Sequence, residues 1–264
     1  PEGKAGDPIL FEPVCGAARA ALKSVRRYGE SVFTQTIFLG ESSDVIRVEN
    51  EIEWRGLKKL LKTPFVLRAE NEEASFDLGL GVIRRGLSTP KLYEVPGQNW
   101  ADISGEEWGV SVLSDCKYGW DHPKADTLRL TGIHTPANDY RQDSKQSLMD
   151  LGKNRYAFGI FAHKGSDLAA TQQAGAAFQR PLCTFAAAPG NEGLLPSEYS
   201  FAGVNDSGVL IRAIKKELNG SRIIVRVNEA EGKAHSEVRL RVGNGITAAV
   251  EVNALEEFKA AATL

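Results

Sequence analysis

The stretch of this sequence richest in reactive groups runs from residue 109 to residue 122, where an apolar segment passes into polar and aromatic side chains. Two carboxylates, one ammonium group and two aromatic rings lie within seven residues: Asp115, Lys117, Tyr118, Trp120 and Asp121. Gly119 stands among them, and glycine permits a turn that presents its neighbours from a rigid strand end. Aromatic rings beside hydrogen-bonding groups suit a sugar, so these five are the candidate substrate-binding residues. A strand end with a packed tryptophan and a solvated ion pair is the open alternative.

Bulk composition sets the class of protein and excludes some partners. The chain has 264 residues, of which 42% are hydrophobic and 25% charged, and this length suits one large all-β domain or two smaller domains. A net charge of −2 offers no attraction to nucleic acid or to an anionic membrane surface. No apolar run approaches the roughly 20 residues that span a bilayer, and no signal-peptide pattern is present. We therefore expect neither nucleic acid nor a membrane as a partner.

Cysteine and histidine spacing argues against a metal site built from this chain. Cys15, Cys116 and Cys183 are far apart and form no metal-ligand cluster or dense disulfide framework. They suit a reducing compartment, and we expect a cytoplasmic protein. The histidines show no zinc-binding spacing: His122, His134, His163 and His235. Phosphate-loop, dinucleotide and serine-hydrolase motifs are missing too, so no metal, cofactor or catalytic residue is expected here.

The position of the only methionine, Met149, bears on the extent of the chain. Residue 1 is a proline and is not a translation start. We therefore expect a piece of a longer polypeptide, in preference to a processed product.

Alternation with a period of two dominates the first two thirds of the sequence. Between residues 44 and 54, Val48, Ile52 and Trp54 fall on one face and acidic residues on the other, which predicts a half-buried strand. Asn50 interrupts the apolar face and needs hydrogen-bond partners if it is buried. Residues 31–39 are rich in β-formers and pair with this strand as a predicted hairpin. The acidic residues on the polar face are interpreted as solvated and not as an acid–base pair.

Further strands and one helix follow from the same reading. Pro64 places a strand over 59–67 at a sheet edge or a bulge. Ser166 favours the start of a short helix over 167–178. The remaining predictions for this part are strands over 75–83, 127–133 and 155–161 and a polar segment over 121–126.

The C-terminal part has compact strands with tight turns. Asn219-Gly220 joins segments 209–218 and 221–228 and is the strongest hairpin signal in the chain. Segment 237–242 alternates, and Asn244-Gly245 predicts a turn into segment 246–252. The fold class is therefore all-β, with a large domain over residues 1–204 and a small β-sandwich over residues 205–264.

Several motifs, in order, resemble those of glycoside hydrolase family 38, the class II α-mannosidases, in their bacterial and cytosolic-type members. The matching segments are Val48-Glu49-Asn50-Glu51-Ile52-Glu53-Trp54, Trp100-Ala101-Asp102-Ile103-Ser104, Asp115-Cys116-Lys117-Tyr118-Gly119 and His163-Lys164-Gly165. The likeness continues through the C-terminal strands and covers residues 18–257. Departures at Asn154, at Ala162 and over residues 132–136 bear on substrate preference.

The resemblance implies a fold and a division of labour. It implies a large β-sandwich of the galactose-mutarotase type, lacking its first strands, and then a small β-sandwich. It places the zinc ligands and the aspartate nucleophile of a retaining mechanism in an N-terminal catalytic domain of the same polypeptide, which becomes the expected partner. Substrates would be mannose-containing oligosaccharides. The present chain would support that domain, line one side of the sugar pocket and be inactive alone.

Two other functions stay open from the sequence. A stand-alone carbohydrate-binding β-sandwich is the main alternative. The third is sugar mutarotation, which needs a histidine acid and a carboxylate base. His122, His134 and His163 meet that need by residue type only.

Overall fold

The computed structural model describes residues 6–135, 149–166, 168–186, 193, 195–243 and 245–262. The chain divides into two compact units, Pro1–Pro181 and Leu182–Leu264. Residues 202–204, which the sequence analysis placed in the large domain, pair with residues 240–242 of the second unit.

The first unit contains thirteen strands and one helix among its described residues. The strands in chain order are β1 (Leu10–Cys15), β2 (Arg19–Tyr28), β3 (Ser31–Gly40), β4 (Val45–Trp54), β5 (Lys59–Val66), β6 (Ala74–Asp77), β7 (Val82–Arg85), β8 (Val95–Pro96), β9 (Trp100–Ser104), β10 (Trp108–Ser114), β11 (Gly119–Lys124), β12 (Thr127–Thr135) and β13 (Gly152–Lys164). The helix, α1, spans Leu168–Gln179, as predicted from the sequence.

The strands form two antiparallel sheets. One has nine strands in the order β1-β2-β3-β4-β13-β10-β9-β6-β7, and the other has four in the order β5-β12-β11-β8. Fully buried side chains from both sheets form the main core, including Phe76, Ile103, Trp120, Leu128 and Leu130. The predicted β-sandwich is therefore confirmed. Removing such apolar side chains from water contributes about 1.5–3 kcal/mol each.

Helix α1 covers the opposite face of the nine-stranded sheet. Leu168 and Phe178 of the helix pack with Trp100 of β9, Leu113 of β10 and Ala157 of β13 in a second apolar cluster. The centre of this sheet is thus buried on both faces. This explains why β10 reads as a nearly continuous buried strand.

Two sequence details have clear structural reasons. Asn50 is 2% exposed, and its amide accepts a hydrogen bond from Gln35 Nε2 at 2.8 Å and donates to the carbonyls of Val48 and Tyr156. The predicted need for partners is met. Pro64 lies in β5, the edge strand of the four-stranded sheet, where a missing N–H costs no ladder bond.

Two predicted segments differ from the structure. The strand expected over 75–83 is a hairpin of β6 and β7, because Asp77 Oδ1 accepts a hydrogen bond from Gly79 N and Leu78 N bonds to Gly81 O. The polar segment expected over 121–126 largely belongs to strand β11, which pairs with β12 through a register shift. The segment lacks the apolar alternation of a half-buried strand, because Asp121 and His122 are buried polar residues.

The second unit consists of six short strands among its described residues. They are β14 (Ala202–Val204), β15 (Val209–Lys216), β16 (Ile223–Glu229), β17 (Leu240–Val242), β18 (Val250–Val252) and β19 (Phe258–Ala261). They pair as β14–β17, β15–β16 and β18–β19. The hairpin predicted around Asn219-Gly220 is confirmed. Within the described residues, β17 and β18 do not pair with each other, and Asn244 of the predicted turn lies outside those residues.

Candidate functional site

Strand β10 leads into a tight turn that carries the candidate substrate-binding residues. Ser114 Oγ accepts a hydrogen bond from Lys117 N at 2.9 Å and donates to Lys117 O at 2.8 Å. Asp115 Oδ2 accepts a hydrogen bond from Ala157 N on β13 at 2.9 Å. Asp115 thus anchors the turn to the neighbouring strand. Its position after a buried strand gives the turn a rigid support.

The turn divides the five candidates between the interior and the surface. Trp120 is fully buried in the core between the sheets, and its Nε1 donates to Gly97 O at 3.3 Å. Tyr118, by contrast, is 50% exposed. Because side chains alternate along a strand, Trp120 and Asp121 point to opposite faces of β11. Trp120 therefore presents no surface to a ligand in this unit.

Asp121 lies in a charged cluster on the outer face of the four-stranded sheet. It is fully buried, with its carboxylate 2.6 Å from Lys62 Nζ and 2.5 Å from Arg129 Nε. Two cations compensate the burial of this anion, which would otherwise be very unfavourable. Asp121 is therefore engaged in the interior and does not face solvent.

Glu94 extends the Asp121 cluster. Its Oε2 lies 2.5 Å from Lys62 Nζ and accepts a hydrogen bond from Thr131 Oγ1 at 2.6 Å. Burial opposes ionisation, but the hydrogen bonds from Lys62 and Thr131 outweigh it and lower the pKa of Glu94. Gly119 makes this approach possible, since a Cβ there would lie 2.7 Å from Glu94 Oε1. We call Asp121, Lys62, Arg129 and Glu94 the Asp121 cluster.

Lys117 and Cys116 complete the turn. Lys117 Nζ lies 5.2 Å from the centre of the Tyr156 ring, which is a cation–π distance. Burial raises the pKa of Tyr156 to about 12. Partial desolvation of the thiol and the neighbouring Asp115 raise the pKa of Cys116 to about 11. The thiol is protonated at neutral pH and is a poor nucleophile.

Reasoning from the sequence missed Tyr93 and Glu94. Strand β8 pairs with β11, so that Pro96 lies opposite Gly119 and the residues before β8 come close to the turn. Tyr93 is 68% exposed. Strand β8 has two residues, and so short a strand leaves no periodic pattern to find. The only signal in the sequence was an aromatic residue, Tyr93, that lies outside the predicted strands.

A second polar feature of the first unit is a cleft of about 500 Å³ beside the start of α1. Its lining includes Glu70, Glu73, Arg84, Asp102 and Ser104. Asp102 is 1% exposed, and its Oδ2 accepts a hydrogen bond from Ser111 Oγ at 2.9 Å and lies 2.8 Å from His163 Nε2. These bonds join β9, β10 and β13. The sequence motif around Asp102 therefore has a structural role in holding three strands together.

The described residues also bear on metals and on acid–base chemistry. They contain no group of three or more His, Cys, Asp or Glu side chains arranged for a metal ion. The His122 ring is buried, and burial lowers its pKa against the opposing effect of nearby carbonyls and carboxylates. The His163 side chain is 3% exposed and bound to Asp102. Neither ring is presented to a ligand as a free acid.

No helix in the part of the chain that the structure describes is long and apolar enough to cross a membrane.

Sequence profiles of known families match two parts of the chain. The profile described as "Glycosyl hydrolases family 38 C-terminal domain" matches residues 8–140. The profile described as "Glycosyl hydrolases family 38 C-terminal beta sandwich domain" matches residues 208–263. The second match coincides with the small strands of the second unit.

Individual relatives are more distant. Alpha-mannosidase G of Dictyostelium discoideum is 24% identical over 212 residues, which is 78% of this chain and 19% of that protein. Alpha-mannosidase 2C1 of Homo sapiens is 23% identical over 235 residues, which is 86% of this chain and 22% of that protein. The chain thus spans about a fifth of the length of these relatives.

A solved structure shows the same fold. A glycosyl hydrolase family 38 protein from Enterococcus faecalis aligns with a TM-score of 0.79 at 14% identity, over 97% of this chain and 34% of that one. The resemblance found in the sequence motifs is confirmed. Because the first profile alone spans half of the chain and the second follows in order, the chain belongs to glycosyl hydrolase family 38 and corresponds to the C-terminal domains of that family.

Proposed function

We propose that this chain is the non-catalytic C-terminal portion of a zinc-dependent, retaining enzyme that hydrolyses terminal α-linked mannose. The ordered match of two family 38 C-terminal profiles, over residues 8–140 and 208–263, carries the proposal. The zinc ligands and the nucleophile are assigned to a catalytic domain of the same polypeptide. The described residues here offer no ligand set for zinc. The chain alone should therefore not hydrolyse aryl α-mannosides, whereas the full polypeptide should.

An apolar surface supports a docking role toward that catalytic domain. On the nine-stranded sheet, Ile37 pairs with Val48 and therefore lies on the core face. Part of this face carries apolar side chains that stay exposed. Phe11 is 63% exposed, Ile37 39%, Leu39 50% and Ile46 39%. Contiguous exposed apolar surface of this kind marks interaction sites. We assign it to the catalytic domain.

The docking assignment can be tested in the full-length polypeptide. Leu39→Asp should lower the thermal stability of the catalytic domain and its mannosidase activity together. Leu218→Asp is the matched control, since Leu218 is 77% exposed in the second unit. Equal effects of the two variants would contradict the assignment.

The sugar-facing role predicted for the turn is proposed here in a narrower form. Tyr118 is the exposed ring that would stack on a sugar, and Lys117 and Asp115 support it. Tyr93 joins as a second exposed ring, brought near by the β8–β11 pairing. Trp120 and Asp121, from the same prediction, would act from the interior by positioning β11.

The kinetic test uses the full-length enzyme and an aryl α-mannoside. Tyr118→Ala should lower kcat/KM by about twofold to tenfold, if a sugar face on the ring contributes about as much as an aromatic pair, about 0.5–1.5 kcal/mol. Phe258→Ala provides the control, since Phe258 is a similarly exposed ring in β19. Unchanged kcat/KM for Tyr118→Ala and Tyr93→Ala would mean that this turn does not contact the sugar.

The second candidate is an independent carbohydrate-binding module, favoured by the same exposed tyrosines. Calorimetry of the isolated chain with mannose and mannobiose separates the two functions. Binding at millimolar sugar that Tyr118→Ala abolishes would favour the module. An absence of heat leaves the supporting role as the better account.

The proposed location is the cytoplasm. Cys116 and Cys183 are exposed free thiols, which suits a reducing compartment. Localisation of a tagged full-length protein checks this, and a secretory pattern would contradict it.

A further inference from the structure

A histidine in the second unit lies among three carboxylates. His235 Nδ1 is 2.8 Å from Asp206 Oδ2, and Nε2 is 3.3 Å from Glu229 Oε1 and 3.8 Å from Glu231 Oε2. The side chain of His235 is 12% exposed. The carboxylates approach opposite nitrogens of the ring. That arrangement suits an imidazolium donating from both nitrogens, and it does not converge on a single point as metal ligands do.

The contacts join two loops. Asp206 belongs to the turn between β14 and β15, whereas His235 belongs to segment 230–239 between β16 and β17. Gly208 lets the ring lie against this turn, since a Cβ there would be 2.4 Å from His235 Cε1. The backbone bond from Ala230 N to Gly208 O, at 2.8 Å, ties the base of the segment to the same turn.

The other groups around the histidine are also ordered. The Glu229 carboxylate accepts hydrogen bonds from the backbone amides of Glu231 and Gly232, which shapes the start of the segment. Lys233 Nζ is 3.5 Å from Glu231 Oε2 and brings one positive charge to this group. The charge facing the ring is therefore negative overall.

We propose that His235, Asp206, Glu229 and Glu231 form a pH-dependent clasp that holds segment 230–239 against the 206–208 turn when the imidazole is protonated. Protonation adds a second N–H donor and a positive charge facing the carboxylates. Deprotonation removes one donor and the charge, and the contact to Glu229 and Glu231 weakens first. The clasp is a conformational device of the second unit and does not depend on the proposed mannosidase role.

The sign of the pH dependence follows from the shifted groups. The hydrogen bond and charge of Asp206 raise the pKa of His235 above its ordinary 6.5. Its stabilising effect is thus complete below pH 6.5 and is lost as the pH rises through the folded-state pKa. His235 in turn lowers the pKa of Asp206 below its ordinary 3.8, so that carboxylate contributes above pH 3.8 and stops contributing as the pH falls through the lowered pKa. The clasp is closed in mildly acidic solution and opens in alkaline solution.

Proton NMR and amide exchange on the full chain test the clasp. The His235 ring protons, assigned by comparison with His235→Gln, should titrate above pH 6.5, and Asp206→Asn should lower that midpoint. Protection factors for amides in segment 230–239, corrected for intrinsic exchange, should fall at least threefold between pH 6 and pH 8.5. His134→Gln, at an exposed histidine of the first unit, is the matched control and should change neither readout.

The outcomes separate cleanly. A His235 midpoint that Asp206→Asn leaves unchanged, or protection in segment 230–239 that does not vary with pH, overturns the proposal. If His235→Gln does not fold, Asp206→Asn alone supplies both measurements. Loss of mannosidase activity in the full-length enzyme has no bearing on either readout.

Discussion

The Asp121 cluster of the first unit and the His235 clasp of the second are both built from ion pairs closer than 4 Å, yet they differ in burial and in chemistry. Asp121 is fully buried and is neutralised by lysine and arginine, which stay charged throughout the neutral range. The clasp depends on an imidazolium near the surface. Ion pairs of similar length therefore stabilise a fold independently of pH when the cation is lysine or arginine, and in a pH-dependent way when it is histidine.

The largest expected effect comes from breaking the buried cluster. Asp121→Ala removes the fully buried anion that Lys62 and Arg129 share. We expect a loss of about 3–5 kcal/mol in the free energy of unfolding of the first unit. Urea denaturation measures it, with Glu49→Ala on the exposed face of β4 as the control, which should cost less than about 1 kcal/mol. Equal losses in the two variants would show that the buried cluster contributes no more to stability than an exposed side chain.

The close approach between Gly119 and Glu94 provides the next test. Gly119→Ala should cost about 1–3 kcal/mol, because its Cβ would collide with the Glu94 carboxylate. The double variant Gly119→Ala/Glu94→Ala should then be destabilised by less than the sum of the two single variants. A double-mutant cycle by urea denaturation measures the coupling. Strict additivity would indicate that the contact does not constrain the turn.

The pH response distinguishes the two clusters directly. Asp206→Asn should lower Tm at pH 6 and have a smaller effect at pH 8.5, since the clasp loses its imidazolium as pH rises. The destabilisation by Asp121→Asn should be constant over the same range, because lysine and arginine side chains have reference pKa values of about 10 or above. Thermal scans at both pH values check this. A constant effect of Asp206→Asn would erase the difference between the two regions.

The smallest effect is expected at a fully exposed ion pair. Lys259 and Glu251 join β18 and β19 with side chains 62% and 55% exposed. Lys259→Met should change the free energy of unfolding by no more than about 1 kcal/mol, and added salt should remove what effect there is. Denaturation at low and high salt checks the value. A larger, salt-resistant loss would mean that burial is not what separates strong from weak pairs here.

Local patterns accounted for a large part of the fold. The alternation in 44–54 predicted β4, and Asn219-Gly220 predicted the β15–β16 hairpin. Both are determined by neighbours in the sequence: side-chain periodicity in one case and turn chemistry in the other. The turn between β6 and β7 was not predicted. An aspartate at the end of a strand does not by itself indicate a turn, and the hydrogen bond from Gly79 N to Asp77 Oδ1 is visible only in the structure.

For the candidate site, residue types were a weaker guide. The segment 115–121 was predicted to be a strand end and turn dense in polar and aromatic groups; residues 115–118 form the turn, and residues 119–121 belong to strand β11. Residue types could not say which side of the strand each group would occupy. That depended on how β11 is placed between β12, the next strand in the chain, and β8, which precedes β9 and β10. Tyr93 and Glu94 reach the turn through the pairing of β8 with β11.

The sequence by itself determined the all-β class, the main strands and hairpins, the helix α1 and the membership of family 38, because these depend on local periodicity and on ordered motifs. Only the tertiary structure decided that Trp120 is a core residue, that Asp121 is a buried anion held by Lys62 and Arg129, and that Tyr118 faces solvent. It likewise brought Asp206 and His235 together from separate loops. The physical reason is that burial and charge pairing arise from contacts between residues far apart in the chain, and local patterns carry no record of those contacts.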